Sequence, residues 1–355
     1  MAVYTPLSLT EIAPWFEREF SLGKAIDLRG IHGGIENSNF FLDTAQAGQT
    51  QEYVLTIFER LTAAQLPYYL ELMLHLANKG IPVPKPIANR AGEILFTLHD
   101  KPAAIVTKLP GQSYLQPSNE NCAMVGAMLA KMHLAGVDFQ TEQANLRSIA
   151  WWRQIAPAVL PHLSATQQTL LNSELQFQEA FFASADYEQL PQGASHCDLF
   201  RDNVLFVERQ QQTQLGGLFD FYFAGTDKWL FDLAVTVNDW CLTENHIDLD
   251  GQRLTALINA YQTIRPLGAG EKRSWSAMLR AAALRFWISR LWDFYLPRSA
   301  QMLTAHNPNH FEAILESRRK QKNNPLWNWI MLLLNKVMFG FAKASGFLNK
   351  THWAF

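Results

Sequence analysis

A chain of 355 residues is long enough for two domains or one bilobal unit. Apolar residues make up 48% and charged residues 17%, which supplies a core and excludes a disordered scaffold. Thirty Lys and Arg against 32 Asp and Glu give a net charge of −2, without the positive excess that draws proteins to phosphate backbones, so no nucleic-acid partner is expected. Cys122, Cys197 and Cys241 are odd in number and lack CxxC spacing. Neither a disulfide framework nor a structural zinc site is encoded, and a reducing compartment fits. Glu11, Glu17 and Glu19 interrupt the stretch where a signal peptide needs a basic start and an apolar run, which points to a cytoplasmic protein.

In chain order, Ser8 followed by Glu11 reads as a capping box opening a short lead-in helix. Three β-branched and aromatic runs, near 24–32, 38–44 and 52–58, are separated by a Gly and Asn cluster and by AQAGQT, and predict antiparallel strands. Leu66, Tyr69, Leu70, Met73, Leu74 and Ala77 recur at helical spacing until Gly80, predicting a helix of about five turns. IPVPKP stops it. ILFTLHD and PAAIVTKL are two more strands, so the first lobe reads βββαββ. From 118 onward helices are predicted near 118–136, 148–159, 164–183, 229–243, 252–263, 271–295 and 308–322, with one β-rich interruption at 203–223. This is an α+β chain with a small antiparallel-sheet lobe and a larger, mainly helical one, not the alternating order of a dinucleotide fold.

The segment SHCDLFRDNVLF holds His196, Asp198 and Asn203 in the order H-x-D-x-x-x-x-N. Phosphoryl transfer from ATP needs a carboxylate that accepts the proton of the attacking hydroxyl and an oxygen ligand for Mg2+, both on one rigid loop. Asp198 and Asn203 match that pair, and Asp220 follows at the end of an apolar strand, where a second carboxylate suits the same metal. An isolated H-x-D also braces turns with no such chemistry. What selects the kinase-like reading is context: a βββαββ lobe before the motif, a hairpin ending in Asp after it, and helices beyond.

The sequence resembles the aminoglycoside-phosphotransferase branch of the protein-kinase-like fold and, within it, the homoserine kinases of threonine biosynthesis. The likeness rests on MAVYTPLS, GIENSNFFL at 34–42, YVLTIFER at 53–60, LPYYLELMLHLANKG at 66–80, HCDLFRDNVLF at 196–206, LFDFYFAG at 218–225, FDLAVTVNDWC at 231–241 and LRFWISRLWDF at 284–294. It covers roughly residues 1–320 and implies a nucleotide-binding lobe at 1–109 and a catalytic and substrate lobe at 110–320; beyond it the sequence adds an apolar helical extension at 321–355. It further implies Asp198 as the base toward L-homoserine, Asn203 and Asp220 as Mg2+ ligands, and His196 as a structural brace. Asp232 is expected to hydrogen-bond near the loop or to act as a plain N-cap. Thr56 stands where the wider fold has a phosphate-binding Lys or Arg, so Glu71 has no assured ion-pair partner. The phosphates then fall to the GGIENSN loop, with Gly33, Gly34, Asn37 and Ser38 as contacts, and the adenine to the connector at Thr107, Lys108 and Leu109.

For the acceptor, Arg285 is the candidate for the substrate carboxylate, because Arg290 and Asp293 are spaced to pair with each other. Asp202, Asp239 and the face of Trp240 are candidates for the ammonium. Choline-like, sugar or aminoglycoside acceptors, or a nucleotide-binding scaffold without activity, are the competing readings. The Met124, Met128 and Met132 series reads as a core-facing helix stripe. In PLWNWIMLLLNKVMFGFAKASGF, at 325–347, Asn and Lys residues interrupt the apolar run. A surface helix docked on its own body or on a second subunit is expected ahead of membrane contact.

Overall fold

The structure is a computed structural model that describes residues 5–31, 37–296 and 306–320. The expected tail helix and the Gly33–Gly34 turn lie outside these residues. After α1 (Leu9–Glu19) come β1 (Lys24–Gly30), β2 (Asn37–Gln46), β3 (Gln49–Phe58), α2 (Pro67–Asn78), β4 (Phe96–Leu98) and β5 (Lys101–Thr107). The five strands form one antiparallel sheet in the order β1-β2-β3-β5-β4.

Strand alternation sorts the side chains of this sheet. Phe40, Leu42, Leu55, Ile57 and Ile105 share one face and pack with Ile12 and Phe16 of α1 and with Phe20 just beyond it. Asn39, Thr56 and Ala104 are cross-strand partners on the opposite face. The capping box is not formed: Ser8 precedes α1 without capping it through its side chain, and its hydroxyl lies 3.2 Å from that of Thr10.

α2 is shorter than five turns, at 12 residues. Pro67 fits its first turn, where no N–H is needed, and Gly80, at φ +81°, lies just beyond its end. α2 is fastened to the following lobe. Glu71 accepts the hydroxyl of Thr141 at 2.8 Å, and Lys79 meets Asp138 at 2.6 Å. His75 Nε2 lies 2.9 Å from the carbonyl of Ala135. Glu71 is thus engaged away from Thr56 rather than near it.

The larger part comprises α3 (Asn119–Ala135), α4 (Ile149–Val159), α5 (Ala165–Phe182), α6 (Ala185–Glu188), β6 (Gln192–Ser195), β7 (Val204–Arg209), β8 (Gln212–Leu218), β9 (Gly225–Lys228), α7 (Trp229–Trp240), α8 (Gly251–Ile264), α9 (Ala269–Tyr295) and α10 (Asn309–Lys320). β7 and β8 make the expected hairpin. The pairing of β6 with β9 was not anticipated; these short strands bracket the motif-bearing segment and fix its two ends side by side.

Every residue of α7 is buried, and α9 runs buried from Ala277 through Ile288. Full burial of each large apolar side chain there stabilises the fold by about 1.5–3 kcal/mol before chain entropy opposes it. The connector lies directly on the hairpin: Gln112 and Phe206 exchange backbone hydrogen bonds of 2.9 Å in both directions. A Cβ on Gly111, at φ +103°, would come within 2.1 Å of the Phe206 carbonyl oxygen, so only glycine permits that approach.

At the base of the β1–β2 turn, Glu59 gathers Ser38 (2.5 Å), Thr5 (2.7 Å) and Lys101 (2.5 Å). Burial raises its carboxyl pKa, but the bonds and charge of Lys101, Ser38 and Thr5 outweigh this and leave it below the usual carboxylate range. A depressed folded-state pKa stabilises the fold above the unfolded-state pKa and loses that contribution as pH falls through the folded value. Urea unfolding at pH 7 is expected to show Glu59→Gln less stable by about 1–2 kcal/mol. The gap should close below about pH 4; a gap that stays constant with pH would remove charge from the explanation.

Candidate active site

β6 delivers the chain to His196, and the N-terminal turn of α7 supplies what holds it there. Both carboxylate oxygens of Asp232 accept backbone hydrogens from the loop: Oδ2 from His196 N (2.7 Å) and Oδ1 from Cys197 N (2.8 Å). Between these bonds Cys197 adopts φ +62°, a left-handed conformation that a residue with a Cβ adopts only when its surroundings enforce it. The reversal carries the chain directly into Asp198. Burial alone would raise the Asp232 pKa; hydrogen bonds from His133 and from the backbone pull it below normal and keep the clamp ionised.

His196 is completely buried, and burial pushes its pKa down. Its Nδ1 accepts from Asp198 N at 3.3 Å and its Nε2 donates to the Phe219 carbonyl at 2.9 Å, so one neutral ring spans the loop and the end of β8. Asn203 closes the loop from the other side. Its amide nitrogen donates to the Asp198 carbonyl (2.8 Å), which leaves Oδ1 as the acceptor atom of the amide, and its own carbonyl accepts from Phe219 N (3.0 Å). Asp220 follows immediately at φ +63°, ψ +60°. The backbone therefore brings 198, 203 and 220 to one place. The donors offered there, an amide oxygen and a carboxylate, are hard oxygen ligands that fit Mg2+ better than zinc or copper. Among the described residues there is no cluster of three or more His, Cys, Asp or Glu that could hold a metal by itself.

On the acceptor side, Arg285 projects from the middle of α9, 3% exposed, with Nη1 3.5 Å from Asp198 Oδ1. Its guanidinium stacks on Phe286 at 3.7 Å, and its Nε and Nη2 are buried without a partner among the described residues. Burial pulls its pKa down and the Asp198 charge opposes that fall. Trp240 is corrected: its ring is wholly buried, its Nε1 donates to the Leu199 carbonyl, and neither face is open to a cation. Asp239 is held by Arg201 through Nε (3.0 Å), Nη2 (3.1 Å) and the backbone N (2.7 Å). Asp202, next to Arg201 in sequence, is exposed by surface area, and the surrounding protein and then the Asp239 charge push its carboxyl pKa up. Arg290 lies 2.9 Å from His310 Nδ1 and stacks on Phe311, which brings α10 to the site.

On the nucleotide side the register decides the contacts. Ser38 is corrected, because its side chain lies on the α1 face bonded to Glu59, leaving at most its backbone for a phosphate. Asn37 and Asn39 lie on the other face. Asn39 Oδ1 accepts from Thr56 Oγ1 at 2.8 Å, and Tyr222, two residues past Asp220, meets Phe58 at the end of β3 edge-on with ring centres 5.1 Å apart. The sheet thereby touches the Asp220 segment. Thr107 is engaged with Lys85 through its backbone N–H (3.0 Å) and its hydroxyl (2.9 Å), and Leu109 lies against Gly217 of β8.

Sequence reasoning missed Asn39, Tyr222 and His133. Period-two alternation was the available signal for Asn39; the other two are set by contacts distant in sequence. A separate cavity of about 900 Å³, lined by Asn145, Tyr187, Gln192, Asp227 and Lys228 among others, includes none of 198, 203 or 220. Lys228 Nζ there already donates to Glu188 O, Leu190 O and Gln192 Oε1. Replacing Asp232 with Ala would strand two loop N–H groups and His133 Nε2. Denaturant unfolding is expected to show a loss of about 3–5 kcal/mol, as for other broken buried pairs; a loss under 1 kcal/mol would contradict the clamp.

Comparison with known proteins gives the same architecture. Residues 27–267 match the sequence pattern of the phosphotransferase enzyme family. The chain is 61% identical to the homoserine kinase of Cupriavidus pinatubonensis over 318 residues, covering 90% of this chain and 96% of that one. It is 57% identical to that of Burkholderia pseudomallei over 322 residues, with coverage of 90% and 96%. Among solved structures, an amicoumacin kinase in complex with AMP-PNP and Ca2+ superposes with a TM-score of 0.61 at 16% identity, covering 84% of this chain and 89% of its own. A spectinomycin phosphotransferase in complex with ADP does so at 0.61 and 12% identity, covering 93% and 99%. The chain belongs to the phosphotransferase enzyme family, in its homoserine kinase branch.

Proposed function

We propose that the protein transfers the γ-phosphoryl group of ATP to the hydroxyl of L-homoserine, giving O-phospho-L-homoserine and ADP. One observation supports this reading at the site: a buried guanidinium, with Nε and Nη2 unpartnered among the described residues, stands beside the carboxylate of the loop. An α-carboxylate answers it with charge-assisted hydrogen bonds, and a four-carbon amino acid is short enough to reach Asp198 with its far end. Choline and sugar acceptors carry no carboxylate for that group.

In this mechanism Asp198 accepts the proton of the homoserine hydroxyl while the hydroxyl oxygen bonds to the γ-phosphorus and the bond from that phosphorus to the β–γ bridging oxygen breaks, releasing ADP. The Arg285 guanidinium stands 3.5 Å from the carboxylate that receives that proton. Asn203 Oδ1 and Asp220 would hold Mg2+. When bound, the ion neutralises charge on the β- and γ-phosphate oxygens. Phosphate contacts come from the 33–37 turn and from the Asn39–Thr56 pair, and the adenine lies along 107–109. The two lobes then divide the work, 1–109 toward the nucleotide and 110–320 toward the acceptor, with positioning supplying most of the rate. The three cysteines are free and buried, in keeping with a cytoplasmic setting. Among the described residues no helix is long and apolar enough to cross a membrane.

An ADP-release assay over a panel of hydroxylated acceptors tests the substrate. Asp198→Asn is expected to lower kcat by at least about 10²–10⁴-fold with ATP binding nearly intact, and near-normal turnover would remove its assignment as base. Arg285→Ala is expected to raise the KM for homoserine far more than that for ATP; equal effects on both would assign Arg285 to packing.

A further inference from the structure

Behind the Asp232 clamp a continuous hydrogen-bonded chain runs away from the site through three helices. His133, near the end of α3, places Nε2 3.0 Å from Asp232 Oδ2 and Nδ1 2.8 Å from the hydroxyl of Tyr261 in α8. Arg265 Nη1 donates to that same hydroxyl oxygen (3.1 Å) and to Glu271 Oε1 (2.8 Å) at the start of α9. His133 and Tyr261 are fully buried, Arg265 and Glu271 nearly so, and the indole of Trp229 stacks on the imidazole with ring centres 5.5 Å apart.

Only one arrangement of hydrogens satisfies every member. Arg265 has donors alone, so the Tyr261 oxygen accepts from it and the Tyr261 proton must point to His133 Nδ1. Nδ1 is then an acceptor, and the remaining ring proton sits on Nε2, directed at Asp232. The ring is neutral, in accord with its burial, which lowers its pKa.

We propose that Tyr261 is a positioning residue for phosphoryl transfer: by donating to His133 Nδ1 it fixes the tautomer that locks the Asp232 carboxylate in place, and through Asp232 the left-handed turn at Cys197 that aims Asp198. This rests on Asp198 as the reacting carboxylate. Tyr261 touches neither substrate nor loop, so its effect belongs in kcat rather than in binding.

Tyr261→Phe deletes one oxygen and keeps the ring. In the full-length protein, kcat from ADP release is expected to fall about tenfold, the rate equivalent of one buried hydrogen bond, with both KM values within twofold of the parent. Long-range 1H–15N spectra of the imidazole should show a protonated Nε2 at His133 in the parent and a mixed or altered state in the variant. His133→Gln, which keeps an N–H toward Asp232, should retain several times the kcat of His133→Leu. An unchanged kcat and tautomer in Tyr261→Phe would overturn the proposal. So would a fall in kcat matched by rises in both KM values, or equal losses in the two His133 variants. If Tyr261→Phe fails to fold, the His133 pair decides the matter. Asp198→Asn measured alongside separates the two readings: near-normal turnover there removes the base, whereas an unchanged Tyr261→Phe removes only the relay.

Discussion

The site depends on two backbone hydrogens held by one buried carboxylate. Asp232 accepts from His196 N and Cys197 N at 2.7 and 2.8 Å, and without it the left-handed turn at Cys197 has no compensation for its strain. A carboxylate in an apolar interior is itself costly unless its lone pairs are occupied. Here His133 takes a further share, and the helices that enclose the carboxylate contribute the partners that keep it ionised. Core packing and loop geometry meet in one helix: α7, apolar nearly all round, is buried along its whole length and carries at its start the group that stands behind the loop.

From this anchor the remaining chemistry follows by short connections. His196 joins the loop to the end of β8, Asn203 returns to the Asp198 carbonyl, and Phe219 N meets the Asn203 carbonyl. A hairpin of modest length thereby determines where Asp220 lies relative to Asp198. Arg285 arrives from α9, whose Ala281, Ala282 and Ala283 allow neighbouring helices to approach closely. The stacking of its guanidinium on Phe286 shields the charge while leaving donors over.

Much of this was legible in the sequence where local pattern decides. The βββαββ order, the helical second part and the His196–Asp198–Asn203 spacing follow from periodicity and motif chemistry. Ser38 went astray because a composition argument about a Gly and Asn loop ignored strand parity, which turns it toward Glu59 and leaves Asn39 for the cleft. Trp240 went astray because an indole near a motif suits a ligand and a core equally well in sequence. Its burial is settled only by β7 and the loop at Leu199 packing over it. The Glu71 position shows the same limit, since its partner Thr141 lies 70 residues away.

That last contact, together with Lys79–Asp138 and His75–Ala135, has a mechanical result. α2 is riveted to the larger body at three points, and its apolar face joins that body's core rather than the core under α1. The helix is thus part of the floor of the cleft, joined to the sheet through the chain between β3 and α2 and through the 108–110 strap.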